Sequence, residues 1–570
     1  MLTHRKPRLM PNLLQRYRHA LIALLLAAAH GATVYAFPGQ PGTLDATFAP
    51  SSPLPGTVVT EVQPLASNGA RAVVVQSDGK IVAAGTCATP ATSTNSFCVA
   101  RYLSTGALDS TFGSGGRVVS AFLTSFPGAE VSATAVAIQS DGKIVVSGYC
   151  DFKVAIIAAI SPSKFCAMRF TATGALDTTF AVSGRLMMSV VAPPAPPATL
   201  ADYSGDRSTA MLIQPDGKIV MSGTCATNDF FPSSPPGKFC VLRLNADGTA
   251  DTQFGAAGDG KLVTDIVTHS YSYSRATALA LQADGKLVVA GNCKTDLIVP
   301  TIRGFCTLRV HGVNAPGQVA GTLDASYGFS GRAQIAVGTQ AEFATGVVVQ
   351  PDGKIVMGGT CTRIGSALQD TCAARLLANG SADTSFGFNG GVVLTTSESV
   401  APQAIALQTD GKILLGGQCN NDQIPQFCIK RLYDNGSLDT TFNGSGTVRT
   451  SISGNFNAST SDVAYGMALQ PDGKIVLAGT CRDGSGGNVE KFCVARYEGG
   501  PFAARLCSVD LDGDGRFLAT TDGLIFNRVG LGLTGDAVVS GIGFAPEATR
   551  TTWPLIREYL VTQCGMSLVP

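Results

Sequence analysis

Between residues 510 and 522 the chain reads Asp510-Leu-Asp512-Gly-Asp514-Gly515-Arg516 and, past Thr521, Asp522. Asp at the first, third and fifth positions with Gly at the sixth is the spacing of a calcium loop. Alternate carboxylates converge on one hard cation while the glycine permits a sharp turn. Such a loop ordinarily closes with an acid at position twelve; Thr521 stands there, so Asp522 is expected to close a loop one residue longer. Asp510, Asp512, Asp514, Arg516 and Asp522 are therefore the candidate metal positions, with calcium the expected cofactor. The competing reading is a solvated acidic turn.

Cysteine is the second chemically capable set. Fourteen of the 16 Cys fall in seven close pairs: Cys87/Cys98, Cys150/Cys166, Cys225/Cys240, Cys293/Cys306, Cys361/Cys372, Cys419/Cys428 and Cys481/Cys493. Cys507 and Cys564 flank the C-terminal segment. No Cys-X-X-Cys occurs and His is scarce, which disfavours a zinc site. An even count in an exported chain points instead to disulfides, one per pair, with Cys507–Cys564 an eighth.

Catalytic chemistry has little to draw on. Of five His, His4, His19 and His30 lie near the N-terminus, leaving His269 and His311 for the rest of the chain. That is thin material for a Ser-His-Asp arrangement or a His-rich metal site. A carboxylate-dependent polysaccharide hydrolase or lyase stays open as an alternative, but no pair of acids is singled out and no catalytic residue is named. A net charge of +1 disfavours nucleic acid as a partner. With 45% hydrophobic residues the chain is not a disordered polyelectrolyte.

The elements that must carry these residues are legible from both ends. Arg5, Lys6, Arg8, Arg16 and Arg18 precede an apolar run from Ala20 to Ala29, and Val34-Tyr35-Ala36 offers a cut before Phe37. Residues 1–36 therefore read as a secretory signal peptide. The alternative is an uncleaved anchor, for which the run is short. No later stretch is apolar enough to span a membrane. The mature chain is expected to be secreted, extracellular or periplasmic, without a transmembrane anchor, and monomeric.

From residue 37 to about 500 a unit recurs. Gln-X-Asp-Gly-Lys stands at Gln76, Gln139, Gln214, Gln282, Gln350, Gln408 and Gln470, a mean spacing of about 66 residues. Each copy lies between two apolar runs, so its Asp-Gly makes the tight turn of a β-hairpin. Gly-X-Cys follows, then a variable loop, a strand with Cys-X-X-Arg, a Leu-Asp-X-X-Phe-Gly signature and one more short run such as Arg117–Phe122. Four strands per unit, seven units and no helix between them predict an all-β, seven-bladed β-propeller of four-stranded antiparallel blades. An open β-solenoid is the runner-up. The first Leu-Asp-X-X-Phe, Leu44–Phe48, precedes the first unit, and none follows Tyr497. The N-terminal segment can thus complete the last blade or abut it. A small residue stands four before every Gln, which suits a strand at the crowded axis.

The Gln-Pro-Asp-Gly-Lys-Ile-Val core, the following Gly, the Arg-bearing strand and Leu-Asp-Thr-Thr-Phe-Gly resemble the delta-60 repeat over roughly residues 44–497. The resemblance implies a bacterial, exported propeller-type protein; it brings no common activity and no catalytic residues. The Cys pair is a departure from the general pattern. Residues 501–570 are expected to form a small, mainly helical module, with helices over Gly523–Leu533 and Thr551–Val561. Its acidic loop resembles one half of a dockerin-like calcium module, without the second copy that a complete one carries.

Strand parity places the Asp-Gly-Lys turns and the Leu-Asp-X-X-Phe connections on one face, both uniform. The Cys-bracketed loops and the inter-unit loops share the other, and both vary. Ile156, Ile157, Ile160, Phe230, Phe231, Tyr271 and Tyr273 lie in those varied loops. Binding residues concentrate on loops held by a rigid scaffold, so this face is expected to bind an unknown protein or glycan. The chain then reads as a non-catalytic binding or surface-interaction module. A purely structural surface protein is the remaining alternative. The repeated Arg and Asp are expected to pair, each Arg with the Asp that follows it. Ring closure would bring Arg496 to Asp45, 451 residues away.

Overall fold

The computed structural model describes residues 40–570 except 65, 89–94, 123–129, 152–162, 192–204, 226–236, 267–273, 296–301, 338–340, 363–364, 366–367, 396–398, 422–423, 454–459, 484–488, 501–510, 513–517, 519, 531–532, 547 and 563–570. The signal-peptide reading falls outside these residues. No described helix is long and apolar enough to cross a membrane.

Among the described residues, 28 strands form seven four-stranded antiparallel sheets, the blades of a propeller. In blade 1 the strands are Asn68–Val75, Ile81–Ala88, Asn95–Tyr102 and Arg117–Ser120, in spatial order. The next five blades repeat this order. The innermost strands of blades 2 to 7 are Glu130–Ile138, Arg207–Ile213, Ser274–Leu281, Ala341–Val349, Val400–Leu407 and Thr460–Leu469. Core clusters lie between blades: Val82, Phe97 and Phe112 of blade 1 pack with Ile144, Val146 and Met168 of blade 2.

Blade 7 is made from both ends of the repeat region. Its strands Thr460–Leu469, Ile475–Asp483 and Lys491–Tyr497 are completed by Thr57–Thr60, which pairs Thr57 with Ala495 and Thr60 with Phe492. The N-terminal segment therefore completes the blade. Tyr102 of blade 1 donates its hydroxyl to Thr60 at 2.8 Å, tying the seam from the neighbouring side.

Two sequence regularities acquire a cause. In every inner strand a register shift falls just before the small residue four ahead of Gln, as between Ala70 and Ala72 or Ala344 and Gly346. This bulge leans the inner strand over its neighbour. A Cβ on the Gly of Gly-X-Cys would overlap an inner-strand carbonyl oxygen, that of Phe343 for Gly359 and of Gly69 for Gly85. Glycine is required there for close approach.

The seven close Cys pairs are all disulfide-bonded: Cys87–Cys98, Cys150–Cys166, Cys225–Cys240, Cys293–Cys306, Cys361–Cys372, Cys419–Cys428 and Cys481–Cys493. Their Cα separations of 5.4–5.9 Å lie inside the ordinary range. Each bond joins the second and third strands of its blade, but on a diagonal and not between facing residues. The second cysteine of every pair faces the Gly of Gly-X-Cys, two residues before its partner. Cys98 thus stands opposite Gly85, Cys166 opposite Gly148, Cys240 opposite Gly223 and Cys306 opposite Gly291. Cys372 faces Gly359, Cys428 faces Gly417 and Cys493 faces Gly479 in the same way. The expected eighth bond cannot be placed, because Cys507 and Cys564 lie outside the described residues.

In the C-terminal segment three helices occur among the described residues: α1 (Asp522–Gly530), α2 (Asp536–Val539) and α3 (Trp553–Thr562). Ile525, Val529, Val538, Trp553, Ile556 and Leu560 form their shared core. The sequence anticipates α1 and α3; α2, a single turn, carries too little periodicity to be read.

Candidate functional site

The uniform face is built from the repeated polar residues. In blade 1 the Nε of Arg101 donates to the Oδ2 of Asp109 at 2.9 Å, and its guanidinium lies 4.4 Å from the centre of the Phe112 ring. The other oxygen of Asp109 accepts from the amide and hydroxyl of Thr111, at 3.1 and 2.6 Å. A terminal nitrogen of Arg101 reaches the Ala172 carbonyl of blade 2 at 2.6 Å. The same hand-over runs from Arg169 to Ala246, Arg243 to Gly312, Arg309 to Ala378, Arg375 to Asp434 and Arg431 to Gly499. Arg496 returns it to Ser104 of blade 1. Each arginine thus pins its own turn and the turn of the next blade.

The last pair closes the circle. Nε of Arg496 donates to Oδ2 of Asp45 at 2.7 Å, and Arg496 stacks on Phe48. Lys474 joins them, 2.7 Å from Asp45 and 3.1 Å from Glu498. The Gln of the turn core serves the same network: Gln139 accepts from Arg169 and donates to the Ala246 carbonyl. The seven arginines are thereby engaged in joining blades, while the Asp and Lys of the turns pair locally, as Lys143 does with Asp141 and Asp177.

Burial opposes charge on these aspartates, but hydrogen bonds and nearby cations win. For Asp45 the hydrogen bonds of Lys474 and Thr47 and the charge of Arg496 hold the carboxyl at about 2. Asp177 and Asp383 also stand at about 2, and Asp109, Asp251, Asp324 and Asp439 are lowered. A depressed carboxyl stabilises the fold above its unfolded value, near 4, and that contribution is lost as pH falls through the folded value. Burial raises Asp462 and Glu498, so their contributions have the opposite sign. With seven groups against two, the melting temperature is expected to fall between about pH 4 and pH 2. A melting temperature that holds steady down to pH 2 would contradict the network's role.

At the opposite end of the inner strands stand buried carboxylates that a hydrolase could use. Each is engaged through one oxygen. Eight residues before Gln in their blades, Asp206 accepts from the amides of Val190 and Val191 at 2.7 and 3.1 Å, and Asp462 from Ile452 and Ser453 at 2.7 and 3.2 Å. Glu342 accepts from the Val337 amide at 2.8 Å. Each holds the chain arriving from the preceding blade. Ile156, Ile157, Ile160, Phe230, Phe231, Tyr271, Tyr273 and His269 lie outside the described residues.

Sequence reasoning missed a set at the bulge, five residues before Gln. In blades 2 to 5 the position is Thr, and each hydroxyl donates to a carbonyl of the next blade: Thr134 to Ser208, Thr209 to Ala276, Thr277 to Ala344 and Thr345 to Pro402, at 2.8–3.2 Å. In blades 6, 7 and 1 it is Gln403, Tyr465 and Arg71, with the Arg71 guanidinium 3.9 Å from the centre of the Tyr465 ring. Aligning the seven copies on Gln is enough to expose this break in pattern.

In the acidic loop, Asp512 and Asp522 are buried, while Asp510, Asp514 and Arg516 lie outside the described residues. Asp522 accepts from the amides of Leu511 and Asp512 through one oxygen, at 2.5 and 3.0 Å, and from the Leu518 amide and Thr521 hydroxyl through the other. Its carboxylate holds the loop backbone. Among the described residues no three metal-ligating side chains cluster.

Residues 76–112, 139–180, 214–254, 350–386, 408–442 and 470–499 match a family described as "Domain of unknown function (DUF5122) beta-propeller". The chain is a β-propeller protein. Blade 4 of the propeller, the one unmatched, is also the one with an insertion between Arg309 and Asp324 and with Tyr327 in place of Phe. No curated protein matches the chain. Among solved structures, the propeller is similar to a protein of unknown function from Dyadobacter fermentans, at 11% identity and a TM-score of 0.41, covering 78% of this chain and 100% of that one. A polysaccharide lyase gives 12% identity and a TM-score of 0.40, covering 84% and 95%. An α-L-arabinanase of Penicillium chrysogenum with arabinobiose gives 10% and 0.38, covering 66% and 93%.

Proposed function

We propose that the chain is an exported, disulfide-bonded binding module, of the delta-60 type, that recognises a protein or glycan through its variable-loop face and does no chemistry on it. One observation carries this reading: the seven repeated Arg of the uniform face join blades and are paired with the repeated Asp, while loop sequence diverges in every unit at the opposite end. The acids at that end, Asp206, Glu342 and Asp462, hold backbone amides. Seven disulfides support an oxidising compartment. In the C-terminal segment the proposal places calcium on Asp510, Asp512 and Asp514 with the backbone at Arg516, in a module that is half dockerin-like. Alternating carboxylates with glycine suit a hard cation, and Asp522 would keep the loop backbone in place.

The experiment is a screen of the oxidised, full-length protein against glycan and protein arrays, with calcium and with chelator, alongside assays for polysaccharide cleavage. Saturable binding without turnover is the expected result, and chelator should lower the melting temperature of the C-terminal segment alone. Release of shortened glycans would overturn the non-catalytic reading. Melting indifferent to calcium would remove the cation from it.

A further inference from the structure

We propose that the channel wall where blades 6, 7 and 1 meet binds an oxyanion, the carboxylate or sulfate group of a small acidic ligand. The proposal rests on reading the chain as a binding module, but it uses a different surface from the variable loops. Gln403, Tyr465 and Arg71 occupy one structural position on three consecutive inner strands, where the other four blades carry Thr. All three are half-buried on the strand nearest the axis. Each of the four threonines spends its hydroxyl on a carbonyl of the next blade. In the three exceptions that inter-blade bond is absent among the described residues, and larger polar groups stand in its place.

Their chemistry favours an anion. The guanidinium of Arg71 lies over the face of Tyr465, an arrangement that fixes its plane and leaves its N–H edge for an acceptor. Among the described residues Arg71 makes no ion pair or hydrogen bond through that edge, and neither the Tyr465 hydroxyl nor the Gln403 amide has a hydrogen-bond partner. Nearby, across Gly69, Glu490 is paired through one oxygen with Arg482 at 2.9 Å, so the two arginines here outnumber the one carboxylate. A guanidinium, a phenol and a carboxamide all donate, and a planar fork matches two oxygens of a carboxylate or sulfate. A cation would meet Arg71, and an apolar ligand would strand all three groups.

The test titrates D-glucuronate, inorganic sulfate and D-glucose into the oxidised full-length protein by calorimetry, with thermal melting in parallel. Saturable binding of glucuronate or sulfate and none of glucose is expected, and which anion binds more tightly tells carboxylate from sulfate. Arg71→Gln should weaken it about tenfold or more, and Arg71→Lys, which keeps charge but loses the fork, by less. Tyr465→Phe and Gln403→Ala serve as milder variants should Arg71→Gln fail to fold, each weakening binding a few-fold. Absence of binding to either anion up to about 10 mM, beyond the ordinary affinity range, would overturn the proposal. So would binding that these variants leave unchanged. If array ligands bind while both anions fail, the axial site falls and the loop-face reading stands; if anions bind while the arrays stay silent, the reverse holds.

Discussion

A chain lacking residues 40–60 is expected to lose its closed ring. Those residues supply the outer strand of blade 7, the Asp45 carboxylate under Arg496, and the buried ring of Phe48 on which that arginine stacks. Without them Lys491–Tyr497 becomes a free sheet edge, a ready template for pairing with other chains. Arg496 and Lys474 lose their shared partner together. Small-angle scattering should show expansion or aggregation, and hydrogen exchange should speed up in blade 7 before blades 2 to 5. The single substitution Asp45→Asn should cost about 3–5 kcal/mol, because it leaves a buried arginine uncompensated. Asp109→Asn removes an equivalent pair inside one blade and should destabilise without opening the seam. Unchanged melting and unchanged protection in the truncated chain would mean that the ring closes by other contacts.

Reduction is the second large effect. The seven disulfides close loops with sequence separations of 9–16 residues. Loops of that size are worth about 3 kcal/mol each, so the set sums to roughly 20 kcal/mol. That exceeds the whole stability of an ordinary domain, about 5–15 kcal/mol. The reduced protein is therefore expected to be unfolded or loosely packed at ordinary temperature, with lost near-ultraviolet dichroism. Unfolded without reductant, the protein should show no reactive thiol among its 16 Cys. Two or more would contradict complete pairing. Cys150 and Cys166 are wholly buried in the core between blades 1 and 2. Replacing both by Ala removes packing along with the bond, so this pair should cost more than loop closure alone accounts for.

The fold was legible because the same local rules recur seven times. Asp-Gly turns, apolar runs and the eight-residue step from Arg to Asp are short-range signals, and repetition averages out their individual ambiguity. The seam from Arg496 to Asp45 was readable for the same reason, as two members of a series left without partners. The bulge was not readable. It is a shift of register within the inner strand, and the sequence shows only its by-product, a glycine in Gly-X-Cys whose necessity comes from the Phe343-type carbonyl above it. The diagonal of the disulfides has the same origin: spacing pairs Cys372 with Cys361, but only the register shows that Cys372 faces Gly359. Arg71, Tyr465 and Gln403 escape any reading built on what the units share, since they are where the units differ. The hold of Asp522 on the loop backbone was not readable either, because spacing alone does not show which amides a carboxylate meets.

The join within blade 7 also orders events in time. As the chain is synthesised from its N-terminus, blades 1 to 6 find all their strands within a short stretch and can form their disulfides one after another. Residues 57–60 cannot find theirs until residues 491–497 exist. The earliest-made strand is thus the last to dock, and it waits with its edge unpaired through the making of more than 400 residues. Contacts of such long range are slow to form, so the lock on the finished ring is also a late one. A chain stopped short of its final strand would carry well-formed blades and an open edge, ready to pair with another chain.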